Sequence, residues 1–382
     1  MTSTASCPFN PDELENLMLP SLQQTKTPRY LFRVHVHAPT SPEQTNQSKL
    51  VPPGYTDRNP SEMEDLFHQS YIATASVVNA HLQDYRCDEN HCTLLTWTTS
   101  LLVAIIYGLN YYYYHHSTYN TTDKPSSLHT ISIMVLDTHQ LPTGTFVNAR
   151  ELMAFFAPGS VALQTLLDVE RATDRCSARY VDEYLTQGVV DTAGVSSVRT
   201  SLQTMIDHGL FDLFPALASY CSGGGGGGSG ELAEMIMKTR RLYNQFDDVA
   251  VQKRHVDGII YLTGACFGGC WTVVVAVMLL AFKGRVVDNP VILGEFRIRF
   301  SGMFVIPGVS VFNSVWTLDW GLVLTELGFL VEEIMELSPL ETIAGEGGPE
   351  IQRFRDLVME LHREFGIQSE LPGNNWTLSL LP

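Results

Sequence analysis

Three stretches decide how this chain reads: Tyr30-Leu-Phe-Arg-Val-His-Val36, Leu95-Thr-Trp-Thr-Thr-Ser-Leu101 and Tyr180-Val-Asp-Glu-Tyr-Leu-Thr-Gln-Gly188. In the first, Tyr30, Phe32, Val34 and Val36 alternate with Leu31, Arg33, His35 and His37. That is the period of a strand, and it gives Arg33 and both histidines one face. The second runs into an apolar helix with Leu102, Ile105, Ile106 and Leu109 on one side, and Ser100 is placed to cap it. The third reads as a strand bent at Gly188. Each stretch sets a polar group in a core-like element: Arg33, the pair Thr96 and Thr98, and Glu183.

Outward from these, residues 1–27 read as a loose polar tail and residues 38–60 as a loop. A helix is expected over 61–83, with Ser61 and Glu64 as a capping box. Ile131–Leu136 reads as a buried strand, and helices are expected over 149–156 and 161–171. Residues 111–127 read as an exposed loop and 197–220 as helix. Gly223 to Gly230 is nearly pure glycine, the composition of a flexible linker. It divides the chain into a tail (1–27), a first domain (28–222), the linker (223–230) and a mainly helical C-terminal domain (231–382). Within the last, 291–306 reads as a strand pair and 323–336 and 349–364 as helices.

The chain has 382 residues, 45% of them apolar and 17% charged, which suits one large or two ordinary domains with a real core. A formal net charge of −17 argues against general binding to nucleic-acid phosphates. The scattered cysteines, seven in all, fit a reducing compartment, and no signal peptide is evident at Met1-Thr-Ser-Thr-Ala-Ser. The expected location is the cytoplasm. Ile259 to Phe282 lacks charge, but Gly264, Gly268 and Gly269 interrupt it, and a core segment is expected there in place of a membrane span.

The stretch 28–220 resembles the ADP-ribosyltransferase superfamily and, within it, an uncharacterised group of fungal proteins. The resemblance lies in Tyr30-Leu-Phe-Arg-Val-His35, Thr96-Trp-Thr-Thr-Ser-Leu-Leu102 followed by Ala104 and Tyr107, Ile133-Met-Val-Leu-Asp-Thr138, and Asp182-Glu-Tyr-Leu185. It implies an α+β domain that binds NAD as a substrate, with no metal. It also implies roles: Arg33 binds NAD, Thr96 and Thr98 take the hydroxyl positions, and Glu183 takes that of the catalytic glutamate. The family's hydroxyl motif usually begins with serine, where this chain has Thr96. Arginine-modifying members carry a second acid two residues before the glutamate, where this chain has Val181. Arginine is therefore not the expected acceptor, and any protein acceptor is unknown.

Rival readings of the same residues are structural. Arg33 can pair with an acid at a sheet edge, Thr96 to Ser100 can end a strand and cap a helix, and Glu183 can be a solvated strand residue. Cys87, His91 and Cys92 have the local spacing of zinc ligands, but no second pair follows nearby, so no metal is expected. No P-loop or nucleophile-elbow motif is present. Two functions follow: NAD cleavage by hydrolysis or ADP-ribose transfer, and a non-catalytic binding or scaffold module on the same fold.

Overall fold

A computed structural model describes residues 8–12, 18–23, 27–36, 49–52, 65–83, 92–118, 127–172, 182–195, 197–221, 229–244, 251–269, 271–284, 289–300 and 348–364. The architecture is mixed α/β with an antiparallel sheet. The chain forms two compact units: residues 1–204, 216–239 and 345–348 make the first, and 205–215, 240–344 and 349–382 the second. Of the expected linker, residues 223–228 lie outside the described residues, and Ser229 and Gly230 open a helix. The expected capping box at Ser61 and Glu64 and the expected helix over 323–336 also lie outside the described residues.

The first unit is built on strands β1 (Tyr30–Val36), β2 (Lys49–Leu50), β3 (Leu94–Thr98), β4 (Ile131–Asp137), β5 (Val147–Asn148), β6 (Glu183–Gln187), β7 (Val190–Asp191) and β8 (Ser197–Ser201). Six of them form one sheet in the order β5-β6-β3-β1-β4-β8, and β2 and β7 form a separate ribbon. Every pairing is antiparallel. Residues 197–201 were expected in a helix. Instead Ser132 to Leu136 of β4 takes them as an edge strand, the position where a polar sequence such as Ser-Val-Arg-Thr-Ser is tolerated.

The middle of the sheet is its weakest join. β1 lies along β4 from Tyr30↔Asp137 to Val36↔Ile131, and β3 lies along β6 from Leu94↔Gln187 to Thr98↔Glu183. Between β1 and β3 the register holds at Phe32↔Thr98 alone among the described residues. The sheet is thus two three-stranded halves meeting at a seam.

Each face of the sheet has its own core. Helices α1 (Tyr71–Gln83), α3 (Ala149–Phe156) and α4 (Val161–Ala172) pack Val78, Leu82, Leu152, Phe156 and Leu163 against Leu94, Val147 and Leu185. Helix α2 (Leu101–Thr118) lies on β1 and β4. Gly108 lets it come close, since a Cβ there would stand 3.3 Å from Ile131 Cγ2. The expected loop at 111–116 is the continuation of α2, with Tyr111 to Tyr113 half-buried. On the opposite face Leu31, Leu95, Trp97, Met134, Leu136 and Tyr184 meet Leu50 and Val190 of the ribbon.

The described part of the expected tail is anchored. Phe9, Leu19 and Leu22 are buried with α1, α3 and α4. Phe9 N–H donates to the Gly144 carbonyl at 2.9 Å, and Gly144 N–H donates to that of Leu22 at 3.2 Å.

In the second unit the described elements are helical. Helix α5 (Ser229–Asn244) contributes its residues from Arg240 onward, followed by α6 (Lys253–Cys266), α7 (Trp271–Leu280), α8 (Pro290–Phe300) and α9 (Pro349–Glu364). The strand pair expected over 291–306 is, as far as Phe300, a helix. Asn289 caps it, its Oδ1 accepting the Val291 N–H at 3.0 Å, and Pro290 holds the first turn. All ten residues of α7 are buried. Gly268 and Gly269, at φ 65° and 51°, separate α6 from α7. No helix among the described residues is long and apolar enough to cross a membrane. Arg240 Nε and Nη2 clasp both carboxylate oxygens of Glu350 at 2.7 to 3.1 Å, and both residues are buried.

Candidate functional site

Thr98 and Glu183 end their strands side by side. They are directly opposed in the β3–β6 register, a position that holds Cα atoms about 4.5–5.5 Å apart and turns both side chains to one face. Both are buried. The turn after Thr98 is tied down at each residue. Thr98 Oγ1 accepts the Ser100 N–H at 3.1 Å, and the Thr99 N–H donates to the Asp182 carbonyl at 3.0 Å. Ser100 Oγ accepts the Val103 N–H at 3.2 Å and so caps α2. The Asp182 carboxylate, next to Glu183, accepts the Gly348 N–H at 3.1 Å.

Thr96 lies on the same face, one alternation back along β3 and opposed to Leu185. It is half-buried. Its hydroxyl is 2.7 Å from Nε2 of His81, near the end of α1. The other ring nitrogen, Nδ1, is 3.0 Å from the buried Cys92 Sγ, which in turn lies 3.6 Å from the Leu94 carbonyl. Sequence reading missed this chain of groups. A histidine in a helix of mixed composition gives no sign of its partner. The available signal was its place three residues after Val78 and beside Leu82, both buried.

Arg33 starts from the other face. Phe32 shares the face of Thr98, so the next residue faces away, in a cross-strand row with Met134 and Arg199. Its guanidinium nevertheless reaches the seam. Nη1 donates to the Thr96 carbonyl at 2.8 Å, and Cζ lies 6.0 Å from the centre of the Trp97 ring. Trp97 is held by its Nε1–H bond to Thr186 Oγ1 at 3.2 Å and by edge-on packing with Phe146. Of the expected site residues, Thr96, Thr98 and Glu183 therefore share a face. Arg33 joins them through the backbone of β3 and not through that face.

The chemistry on offer is a buried carboxylate next to a hydroxyl, with a second hydroxyl further along and a guanidinium behind them. A fixed carboxylate of this kind favours positive charge developing beside it. Cys87 and His91 lie outside the described residues, and among the described residues no group of three or more His, Cys, Asp and Glu could hold a metal ion. Comparison with protein-family models, with curated proteins and with solved structures found no match.

Proposed function

We propose that this chain is an ADP-ribosyltransferase-like protein that binds NAD and cleaves its nicotinamide–ribose bond, by hydrolysis or by transfer of ADP-ribose to an acceptor. The observation that carries this reading is the opposed pair Thr98 and Glu183, with Thr96 on the same face. In hydrolysis the C1′–N bond breaks with both electrons going to the nicotinamide nitrogen. Water oxygen bonds C1′, and one proton is released. Positive charge builds on the ribose as the bond breaks, as in glycoside cleavage. Glu183 stabilises that charge and so acts on the transition state more than on binding. Thr96 and Thr98 hold the nicotinamide ribose. Arg33 offers its fork of donors to phosphate or ribose oxygens.

The second reading, a non-catalytic binding or scaffold module, is favoured by one observation. The Arg33 guanidinium already serves the Thr96 carbonyl and arises from the opposite face. The deciding measurement is nicotinamide release from NAD by the purified chain, together with NAD titration by calorimetry. Release above the uncatalysed rate supports the enzyme. A protein that neither binds nor cleaves NAD belongs to the second reading.

A further inference from the structure

The Thr96 hydroxyl has a sense as well as a place. Cys92 Sγ lies 3.6 Å from the Leu94 carbonyl and 3.0 Å from His81 Nδ1. A carbonyl only accepts, and a thiol that donates its one proton to Leu94 presents its sulfur as the acceptor for Nδ1–H. A neutral imidazole with its proton on Nδ1 has a lone pair on Nε2. That lone pair, 2.7 Å from Thr96 Oγ1, takes the threonine proton. In that arrangement the order of donation is Thr96 to His81, His81 to Cys92, and Cys92 to the Leu94 carbonyl. It leaves the hydroxyl lone pairs of the half-buried Thr96 for a ligand that donates.

We infer that His81 is a positioning residue that turns Thr96 into a hydrogen-bond acceptor, so that this position takes a ligand hydroxyl donor such as a sugar hydroxyl and rejects a bare acceptor. The ligand assignment rests on the NAD reading above; the direction of the relay does not. A pyranose or furanose hydroxyl meets the requirement, whereas a carbonyl or fluorine in the same place meets lone pairs with lone pairs. Cys92 fixes which nitrogen of His81 carries the proton, as outer-shell partners of histidines do elsewhere.

The test has two arms. In the free protein, the imidazole nitrogen shifts of His81 report the protonated nitrogen. Protonation on Nδ1 is expected, and protonation on Nε2 overturns the inference. In the second arm, NAD affinity is measured for the full chain and for T96V, H81F, H81Q and the double variant T96V/H81F. Each of T96V and H81F should weaken binding roughly tenfold, about the loss of one hydrogen bond. The double variant should be no weaker than either single one, because both remove the same interaction. H81Q, whose amide oxygen can still accept the threonine proton, should stay within about threefold of wild type. NAD analogues with each ribose hydroxyl in turn replaced by fluorine should include one that binds wild type as weakly as NAD binds T96V. Additive losses in the double variant, H81Q as weak as H81F, or full affinity for every fluoro analogue each overturn the positioning role while leaving the NAD reading intact. Wild-type protein that does not bind NAD overturns the NAD reading and the ligand assignment together.

Discussion

At the scale of single residues, the shared face of Thr98 and Glu183 makes the sharpest prediction. Glu183→Gln keeps shape and removes charge. It should lower nicotinamide release about 100- to 1000-fold while leaving NAD affinity near wild type. Full turnover in this variant removes Glu183 from the reaction. Arg33→Ala should behave differently, because its Nη1 bond to the Thr96 carbonyl spans the seam. It should cost about 1–3 kcal/mol of stability as well as NAD affinity, and differential scanning calorimetry beside titration separates the two. These residues were legible as candidates because a polar group in an apolar strand stands out. Their faces were not. Alternation within one strand says which residues share a side of that strand, but the relation between strands depends on register. The pairing Phe32↔Thr98 joins residues far apart in sequence, and no local pattern encodes it.

At the scale of elements, local chemistry predicted well wherever it was unopposed. The alternation at 30–36, the apolar run at 131–136 and the helix over 149–156 all appear in the structure with those bounds or one residue more. It failed where a neighbour or a cap outweighed composition. β4 recruits Ser197–Ser201 as an edge strand, and at Asn289-Pro290 a cap and a fixed φ turn a β-branched stretch into α8. Gly144, at φ 80°, ties the N-terminal segment into the first unit, and a Cβ there would stand 3.0 Å from the Phe9 carbonyl. Gly144→Ala should therefore cost about 1–3 kcal/mol, read as a lower denaturant midpoint with unchanged slope. Tyr220 makes a pH prediction. Its hydroxyl donates to the Met235 carbonyl at 3.1 Å and meets the Thr239 hydroxyl, and burial raises its phenol above the ordinary value of 10.0. An acid whose pKa is raised by folding keeps its proton longer in the folded state. Its contribution to stability is intact below about pH 10 and is lost as pH climbs through the folded value. Tyr220→Phe should flatten that alkaline loss in pH-dependent unfolding.

At the scale of the whole molecule, chain order and compact units do not coincide. Residues 216–239 belong with the first unit, where Tyr220 reaches Met235 and Thr239, although the glycine run 223–228 separates them in sequence. Limited proteolysis should cut in that run, since glycine has no side chain to pack. The two fragments should nevertheless elute together under native conditions and separate only in denaturant. Fragments that part at once would contradict the placement of 229–239. The second unit carries its own constraint in the Arg240–Glu350 pair. Removing one partner of a buried ion pair leaves an uncompensated charge, at about 3–5 kcal/mol, so Glu350→Ala should greatly lower the yield of folded chain. The same pair has a consequence for the chain as it is being made. Arg240 is synthesised 110 residues before the carboxylate that neutralises it. At about 5–20 residues per second, it waits on the order of 5–20 s on the ribosome, with the uncharged, mostly apolar Trp271–Leu280 segment emerging in the meantime. The Arg240–Glu350 clasp cannot close until residue 350 has been made. A message that stops short of residue 350 therefore yields a nascent protein with a cation and a mostly apolar helix left for chaperones to hold.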